Sequence, residues 1–327
     1  MAKLNMVQAI NLGLKQEMQK DGSVLLLGED VGVDGGVFRV TDGLIQEFGA
    51  ERVLDTPLAE SGIMGAAIGM AIAGLRPVAE MQFSGFSYLI MHQLEGHAAR
   101  FRSRTHGQWS VPMVVRMPYG GGVRALEHHS ESREATYAHL PGVKVVIPSG
   151  PRNARAGIVA AIRDPDPVIF MEPKRSYRAF KEEVPEAEEV LELGRAERVQ
   201  EGADLTLISF GAMMRPTLKA AEEVRAARGA SIEVIDLLSI SPLDHEAIAT
   251  SVTKTGRCVV VQEAPRTLGI ASEVIAVIND QALMYLEAPV ERVTGFDVVT
   301  PYFGRENSYL PSAGRVRRAI EQTLDFS

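Results

Sequence analysis

The sequence predicts an α/β protein made of two doubly wound domains, and three observations carry that prediction. Short aliphatic runs, VLLLG (24–28), VPMVVRMP (111–118), VKVVIP (143–148) and PVIFME (167–172), alternate with segments of helical apolar spacing. That is the pattern of strands buried on both faces of a parallel sheet. After Pro173 the rhythm breaks into EPKRSYRAFKEEVPEAEEVLELG, a charged stretch with no sustained apolar period, read as an interdomain linker. The alternation then resumes. DLTLISFG (204–211), SIEVIDLL (231–238), RCVVVQE (257–263) and APVERVTG (288–295) read as strands. RPTLKAAEEVRAARG (215–229) reads as an amphipathic helix stopped by Gly229, SPLDHEAIATSVTKTG (241–256) as the helix after SIEVIDLL, and a terminal helix begins near Ser312. The expected organisation is a first domain over 1–180, a linker over 181–202 and a second domain over 203–327. No repeat of solenoid period is visible.

Composition narrows the function. A chain of 327 residues can bury two sizeable cores, and 46% apolar with 23% charged residues is ordinary for a globular protein. The net charge of −8 argues against nucleic acid as the main partner, because phosphate binding needs a basic surface. One basic cluster, Arg100, Arg102 and Arg104 with His106, reads as a solvated helix end. The single cysteine, Cys258, lies in a strand-like run, which excludes an internal disulfide and a cysteine-based metal cluster. MAKLNMVQAINLGLKQEM has helical spacing with both charge signs and does not read as a targeting peptide. No apolar run approaches the roughly 20 residues that span a bilayer. A cytoplasmic protein without membrane partners is expected.

Three loops after presumed strands could carry chemistry. GEDVGVDGGVF (28–38) combines acids and glycines but lacks the Lys-Ser/Thr ending of a phosphate-binding loop, so it reads as a tight turn. DTPLAESGIMGAAIGMAIAG (55–74) sets one carboxylate, Glu60, at the mouth of an uncharged run of small residues. A carboxylate there is partly desolvated, which costs free energy unless something needs it. The bland alternative is an acid that satisfies free amides at a helix start. PYGGGVRALEHHSESREA (118–135) brings three glycines and then His128 and His129. Adjacent histidines do not share a helix face, so a metal reading is weak; a general acid/base or oxyanion-contacting imidazole that a Gly-rich loop exposes in a cleft fits better, with a hydrogen-bonded structural histidine as the alternative. The chain has no GxGxxG after its first strand, no GxSxG elbow and no Gly-Asp-Gly followed by Asn-Asn, which disfavours a dinucleotide oxidoreductase, an α/β hydrolase and a self-sufficient diphosphate anchor.

GEDVG, GGVFR, DTPLAESGIMGAAIGMAIAGLRPVAEMQF, RMPYGGGV, HSES, HLPGVKVVIPS, AAIRDPDPVIF and EVIDLLSISPLD, in this order over nearly the whole chain, resemble the β subunits of the thiamine-diphosphate-dependent decarboxylating component of 2-oxoacid dehydrogenase complexes. The resemblance implies a transketolase-like pyrimidine-binding domain followed by a transketolase-C-terminal-like domain. It implies that Glu60 hydrogen-bonds a ring nitrogen of the cofactor's aminopyrimidine and activates the thiazolium carbon. Leu58 would offer its carbonyl, Gln82 and Phe86 would line the pyrimidine pocket, and His129 would contact the substrate-derived group and the incoming lipoyl group. A potassium ion is implied at Met113, Ala161, Ile162, Asp164 and Asp166; a plain strand-entry turn fixed by Pro165 and Pro167 explains the same residues. Partners implied are an α subunit, in a heterotetramer of two α and two β, that holds Mg²⁺ and the diphosphate, and a lipoyl acyltransferase core. QFSGF, PYGGGV and VVVQEAPR look more like pyruvate-specific bacterial members than branched-chain ones. His92-Gln93 and Gly96-His97-Ala98-Ala99 depart from the family's usual Asp-Gln and Asn-Ala-Ala-Lys. Competing readings are another transketolase-like half-enzyme, a noncatalytic assembly subunit and a flavin-carrying electron-transfer subunit.

Overall fold

The computed structural model describes residues 2–326 and divides into two compact units, one formed by the chain up to Tyr119 with Thr136–Leu193, the other by Gly120–Ala135 with the chain from Gly194 onward. In chain order the first unit holds β1 (Ala2–Leu4), α1 (Met6–Lys20), β2 (Val24–Gly28), α2 (Leu44–Phe48), β3 (Val53–Asp55), α3 (Glu60–Ile72), β4 (Arg76–Glu80), α4 (Met91–Gly96), α5 (Phe101–Arg104) and β5 (Val114–Tyr119). After the short α6 (Glu134–Ala138) follow β6 (Lys144–Val146), α7 (Pro151–Arg163), β7 (Val168–Pro173) and β8 (Glu182–Val184). The second unit continues with β9 (Glu197–Gln200), β10 (Leu205–Ser209), α8 (Met214–Arg228), β11 (Ile232–Asp236), β12 (Ser239–Ser241), α9 (His245–Thr255), β13 (Cys258–Val261), α10 (Ile270–Gln281), β14 (Glu291–Val293), α11 (Glu306–Tyr309) and α12 (Ala313–Leu324).

Six strands of the first unit run in the order β6-β7-β5-β4-β2-β3, every neighbouring pair parallel. Leu26 stands beside Val53 on one side and Val78 on the other, and Val114 beside Val78 and Val168. Helices cover both faces, so β2, β5 and β7 are buried along their whole length and β4 and β6 along most of theirs. α1 opens on a capping box between Asn5 and Gln8 and lies against α7. The approach is close because Gly13 faces α7: a Cβ there would stand 2.6 Å from Ile158 and 3.3 Å from the Arg155 carbonyl. Arg163 pairs with the Glu17 carboxylate at 2.6 Å across the same seam.

The charged stretch 181–202, expected to be a linker, carries two strands. β8 pairs antiparallel with β1, and β9 pairs antiparallel with β11. Its acids are ligands for the neighbouring helices: Glu182 accepts from the Arg152 amide at the start of α7, Glu189 pairs with the Arg152 guanidinium at 2.6 Å, and Glu188 meets Lys20 and Arg163. Buried Arg155 donates to the carbonyl of Ala187 at 3.0 Å. The acid-rich part of this stretch is a strap fastened to α1 and α7, and the units divide after Leu193.

In the second unit the sheet order is β14-β13-β10-β11-β9, parallel except at β9. Gly229 (φ 70°) ends α8 and Gly256 (φ 67°) ends α9 in the left-handed conformation that glycine adopts without steric cost. Ser312 caps α12 through the Arg315 amide. Cys258 is buried in β13 and burial pushes its thiol well up, so it is an inert core group.

Gly13→Val is expected to destabilise the chain by about 1–3 kcal/mol through overpacking of the α1–α7 seam. A urea unfolding midpoint equal to that of the parent would show that the seam tolerates the added volume.

Candidate active site

The C-terminal ends of β2, β3 and β4 lie side by side, and the loops that leave them carry the first group of functional residues. β3 ends at Asp55, whose carboxylate accepts from the amides of Gly32 (2.6 Å) and Val33 (3.0 Å) and so ties the loop after β2 to the loop after β3. Glu60 is the first residue of α3; it is 4% exposed, and its buried Oε2 has no hydrogen-bond partner in the chain. No side-chain bond caps α3, so Glu60 does not act as a capping acid. Glu29, at the start of the loop after β2, is also buried, with an unpartnered Oε1. Burial first, then the charges of Glu60 and Asp30, raise the Glu29 pKa, against a bond from the Ala59 amide. Two desolvated acids thus stand together where sequence reasoning saw one. GEDVG read as a turn because nothing local shows that its glutamate points inward.

Gln82 and Phe86 follow β4. Gln82 donates to Asp30 at 3.0 Å, which ties it to the loop that carries Glu29. Phe86 is half-buried and meets Phe83 edge-on at 5.8 Å; Phe83 in turn meets Phe38 at 5.5 Å. The turn bearing Phe86 is fastened to α3 by Ser61 Oγ, which donates to the Leu89 carbonyl at 2.5 Å. Leu58 is 79% exposed. Leu58, Glu60, Gln82 and Phe86 are therefore gathered at one edge of one sheet, as expected for residues on adjacent loops. His92 and His97, where the chain departs from the family pattern, lie on an exposed side of α4 with their rings 5.4 Å apart.

Beneath this edge runs a buried ionic network that the sequence hides. Arg116 of β5 is 1% exposed and makes two bonds to Glu172 of β7, at 2.7 and 2.8 Å, and one to Glu80 of β4. The Tyr177 hydroxyl adds a bond to Glu172 at 2.5 Å. Burial pulls the guanidinium pKa down, but the charges of Glu172 and Glu80 outweigh it and hold Arg116 ionised. Glu80 and Glu172 sit at or next to the C-terminal ends of β4 and β7 and Arg116 lies midway along β5, where only register reveals that they meet.

His129 belongs to the second unit, in a single helical turn over Glu127–His129 of the Gly120–Ala135 loop. It is half-buried, and its ring meets that of His128 at a tilt of 56° with centres 4.2 Å apart. Glu127, on the same turn, borders a cavity of about 320 Å³ lined also by Val299, Thr300, Pro301 and Tyr302. At the end of the loop Glu134 is fully buried and neither carboxylate oxygen has a partner. Burial, with a smaller contribution from the Glu263 charge, pushes its pKa up to about 7.

The residues implied for potassium also come together, but oxygens of Ile162, Asp164 and Asp166 are already met by the chain's own cations. Arg76 donates to the carbonyls of Ile162 (2.7 Å) and Asp164 (3.3 Å), Lys144 holds both carboxylate oxygens of Asp164, and Arg102 holds Asp166 at 2.6 Å. The Met113 carbonyl accepts from the Val168 amide at 3.0 Å, and Ala161 lies buried within α7. A further cation would compete with three that are in place, so this arrangement does not fit a potassium ion. Among the described residues no group of three or more His, Cys, Asp or Glu could hold a metal.

Comparison with known proteins agrees with this architecture. The family model "Transketolase, pyrimidine binding domain" matches residues 2–179, and "Transketolase, C-terminal domain" matches residues 194–316. A solved structure, "Split gene transketolase, inactive beta4 tetramer", superposes with a TM-score of 0.82 at 23% identity over 99% of both chains, which shows a shared fold. The chain belongs to the family of pyruvate dehydrogenase E1 component β subunits. Proteins of that name from Bacillus subtilis and Staphylococcus epidermidis are 50% and 48% identical over 326 residues, 100% of both chains, and one from Acholeplasma laidlawii is 48% identical over 98% of each.

Two outcomes follow for the buried charges. Arg116→Ala leaves Glu80 and Glu172 buried without a cation and is expected to cost about 3–5 kcal/mol, read by chemical denaturation; a loss below one would mean that solvent reaches the network. Glu134 binds its proton more tightly in the folded chain (pKa about 7) than in the unfolded one (4.5). Folding is therefore favoured at low pH, and stability falls as pH rises from 4.5 to 7, by about 3 kcal/mol in all. Glu134→Gln removes that slope, so thermal melts of variant and parent coincide near pH 4.5 and separate in favour of the variant by pH 8.

Proposed function

We propose that this chain is the β half of a thiamine-diphosphate-dependent pyruvate dehydrogenase (acetyl-transferring), which oxidatively decarboxylates pyruvate and acylates a lipoyl group. The observation that carries the reading is the buried, unpartnered Oε2 of Glu60. An acid sealed from water whose carboxyl oxygen meets nothing in its own chain fits a ligand that brings the partner, and a ring nitrogen of an aminopyrimidine, which accepts the carboxyl proton, is such a group. The cofactor supplies the electron sink for loss of carbon dioxide. Glu60 would share a hydrogen-bonded proton with the ring nitrogen. The Leu58 carbonyl and Gln82 orient the ring's polar edge, and Phe86 packs on its apolar face. His129 serves the substrate-derived group and the lipoyl thiol. Relatives named pyruvate dehydrogenase over the full length favour pyruvate over branched-chain 2-oxoacids.

A partner chain completes this reading. The sequence lacks the Gly-Asp-Gly and Asn-Asn elements that would anchor a diphosphate through magnesium, so both fall to an α subunit in a two-α, two-β assembly that serves a lipoyl acyltransferase core in the cytoplasm. One face of α3 suits close approach of another chain. Ser61, Gly62, Gly65, Ala66 and Gly69 are exposed, and a Cβ built at Gly65 or Gly69 would meet nothing within 4 Å.

The test mixes the chain with its α partner, thiamine diphosphate, magnesium and pyruvate, and follows reduction of an artificial electron acceptor while each component is omitted in turn. Activity is expected only with all present, and Glu60→Gln is expected to lower kcat by about 10²-fold or more, the scale of a lost acid/base group. Activity without thiamine diphosphate, or an unimpaired Glu60→Gln complex, would overturn the proposal. Ketol transfer between sugars in the same mixture would point instead to a transketolase-like half-enzyme.

A further inference from the structure

The loop over Gly120–Ala135 is held by side chains where a strand would be held by a ladder. The Gly120 amide closes it on the Glu131 carbonyl at 3.0 Å. Beyond that, two buried carboxylates from the second unit take the backbone amides of its glycine run. Glu263, two residues past β13 and 4% exposed, accepts from the Gly121 amide at 2.5 Å and from Ser132 Oγ at 3.1 Å through the same Oε1. Glu306, the first residue of α11 and 2% exposed, accepts from the Gly122 amide at 2.7 Å through Oε1 and from the Arg124 amide at 3.1 Å through Oε2. His129 lies inside the pinned interval, between Arg124 and Ser132.

The glycines are what let the acids reach. A Cβ at Gly120 would stand 2.7 Å from Glu263 Oε1, and one at Gly121 would stand 3.0 Å from Glu306 Oε1. Gly120 (φ 82°) and Gly122 (φ 90°) also take left-handed backbone. A run of three glycines has the largest conformational entropy to lose on ordering, and bonds to ionised acceptors are the strong ones available to backbone amides. Holding a loop so firmly has a use when a side chain on it must meet a reacting group in one geometry.

We propose that Glu263 and Glu306 are positioning residues that set the His129 loop for acyl transfer; this rests on the role given to His129 in the proposed function. The test uses the assembled α/β complex with Glu306→Ala, Glu306→Gln and Glu263→Gln, beside His129→Ala. Hydrogen–deuterium exchange over peptides spanning 120–135 is expected to quicken about tenfold or more in Glu306→Ala, confined to that segment, with Glu306→Gln intermediate because its amide oxygen still accepts one bond. The ratio of lipoyl-domain acylation to acceptor-linked decarboxylation is expected to fall about tenfold in Glu306→Ala, in the direction of His129→Ala. Unchanged exchange in 120–135, exchange raised throughout the chain, or an equal fall in both half-reactions would overturn the proposal. Quickened exchange with acylation intact in both Glu306→Ala and His129→Ala would instead remove His129 from the reaction and leave the clamp as a purely structural device.

Discussion

Leaving a carboxylate oxygen buried without a donor costs a protein several kcal/mol, and Glu60 is held in that state at the end of a parallel sheet. Much of the first unit is arranged so that the cost is borne. α3 starts at Glu60 and presents apolar side chains, Ile63, Met64, Ala67 and Ile68, to the core, while the neighbouring Ser61 hydroxyl is engaged with the Leu89 carbonyl. Asp55 ties the loops after β2 and β3 together through the amides of Gly32 and Val33, and Gln82 reaches across to Asp30. A parallel sheet brings these loops to one edge, because every strand ends on the same side.

Buried acids recur in this chain, and they are stabilised in three ways. Glu80 and Glu172 share a buried guanidinium, although burial still raises the Glu80 pKa to about 7. Glu263 and Glu306 are spent on backbone amides of a glycine run that has no strand partner. Glu134 has neither cation nor amide from another residue, and burial holds it protonated up to near neutral pH. The three solutions map onto three tasks: tying adjacent strands, holding a loop, and filling a core position next to that loop.

The acid-rich segment 182–189 shows how composition misleads. The stretch reads as a linker, yet its glutamates meet Lys20, Arg152 and Arg163 on two helices, and Arg155 reaches the carbonyls of Pro185 and Ala187. The pairing partners stand more than twenty residues away in sequence, so no local window contains both halves of the interaction. β1 and β8 are short for the same reason: each is a strand only because the other is beside it.

By itself the sequence determined the alternation of apolar strands with amphipathic helices, the helix ends at Gly229 and Gly256, the start of the last helix near Ser312 and the isolation of Glu60, because each depends on residues within a few positions of one another. The family motifs added Leu58, Gln82, Phe86 and His129 as candidates for the site. Only the tertiary structure decided which acids lie inside. Whether Glu29, Glu134, Glu263 or Glu306 faces solvent or core depends on strand register and on which loop covers it. Charge pairing is likewise decided by distance in space, so Arg116, Arg76 and Lys144 show their partners only when β4, β5, β6 and β7 are laid side by side and α7 is packed against them.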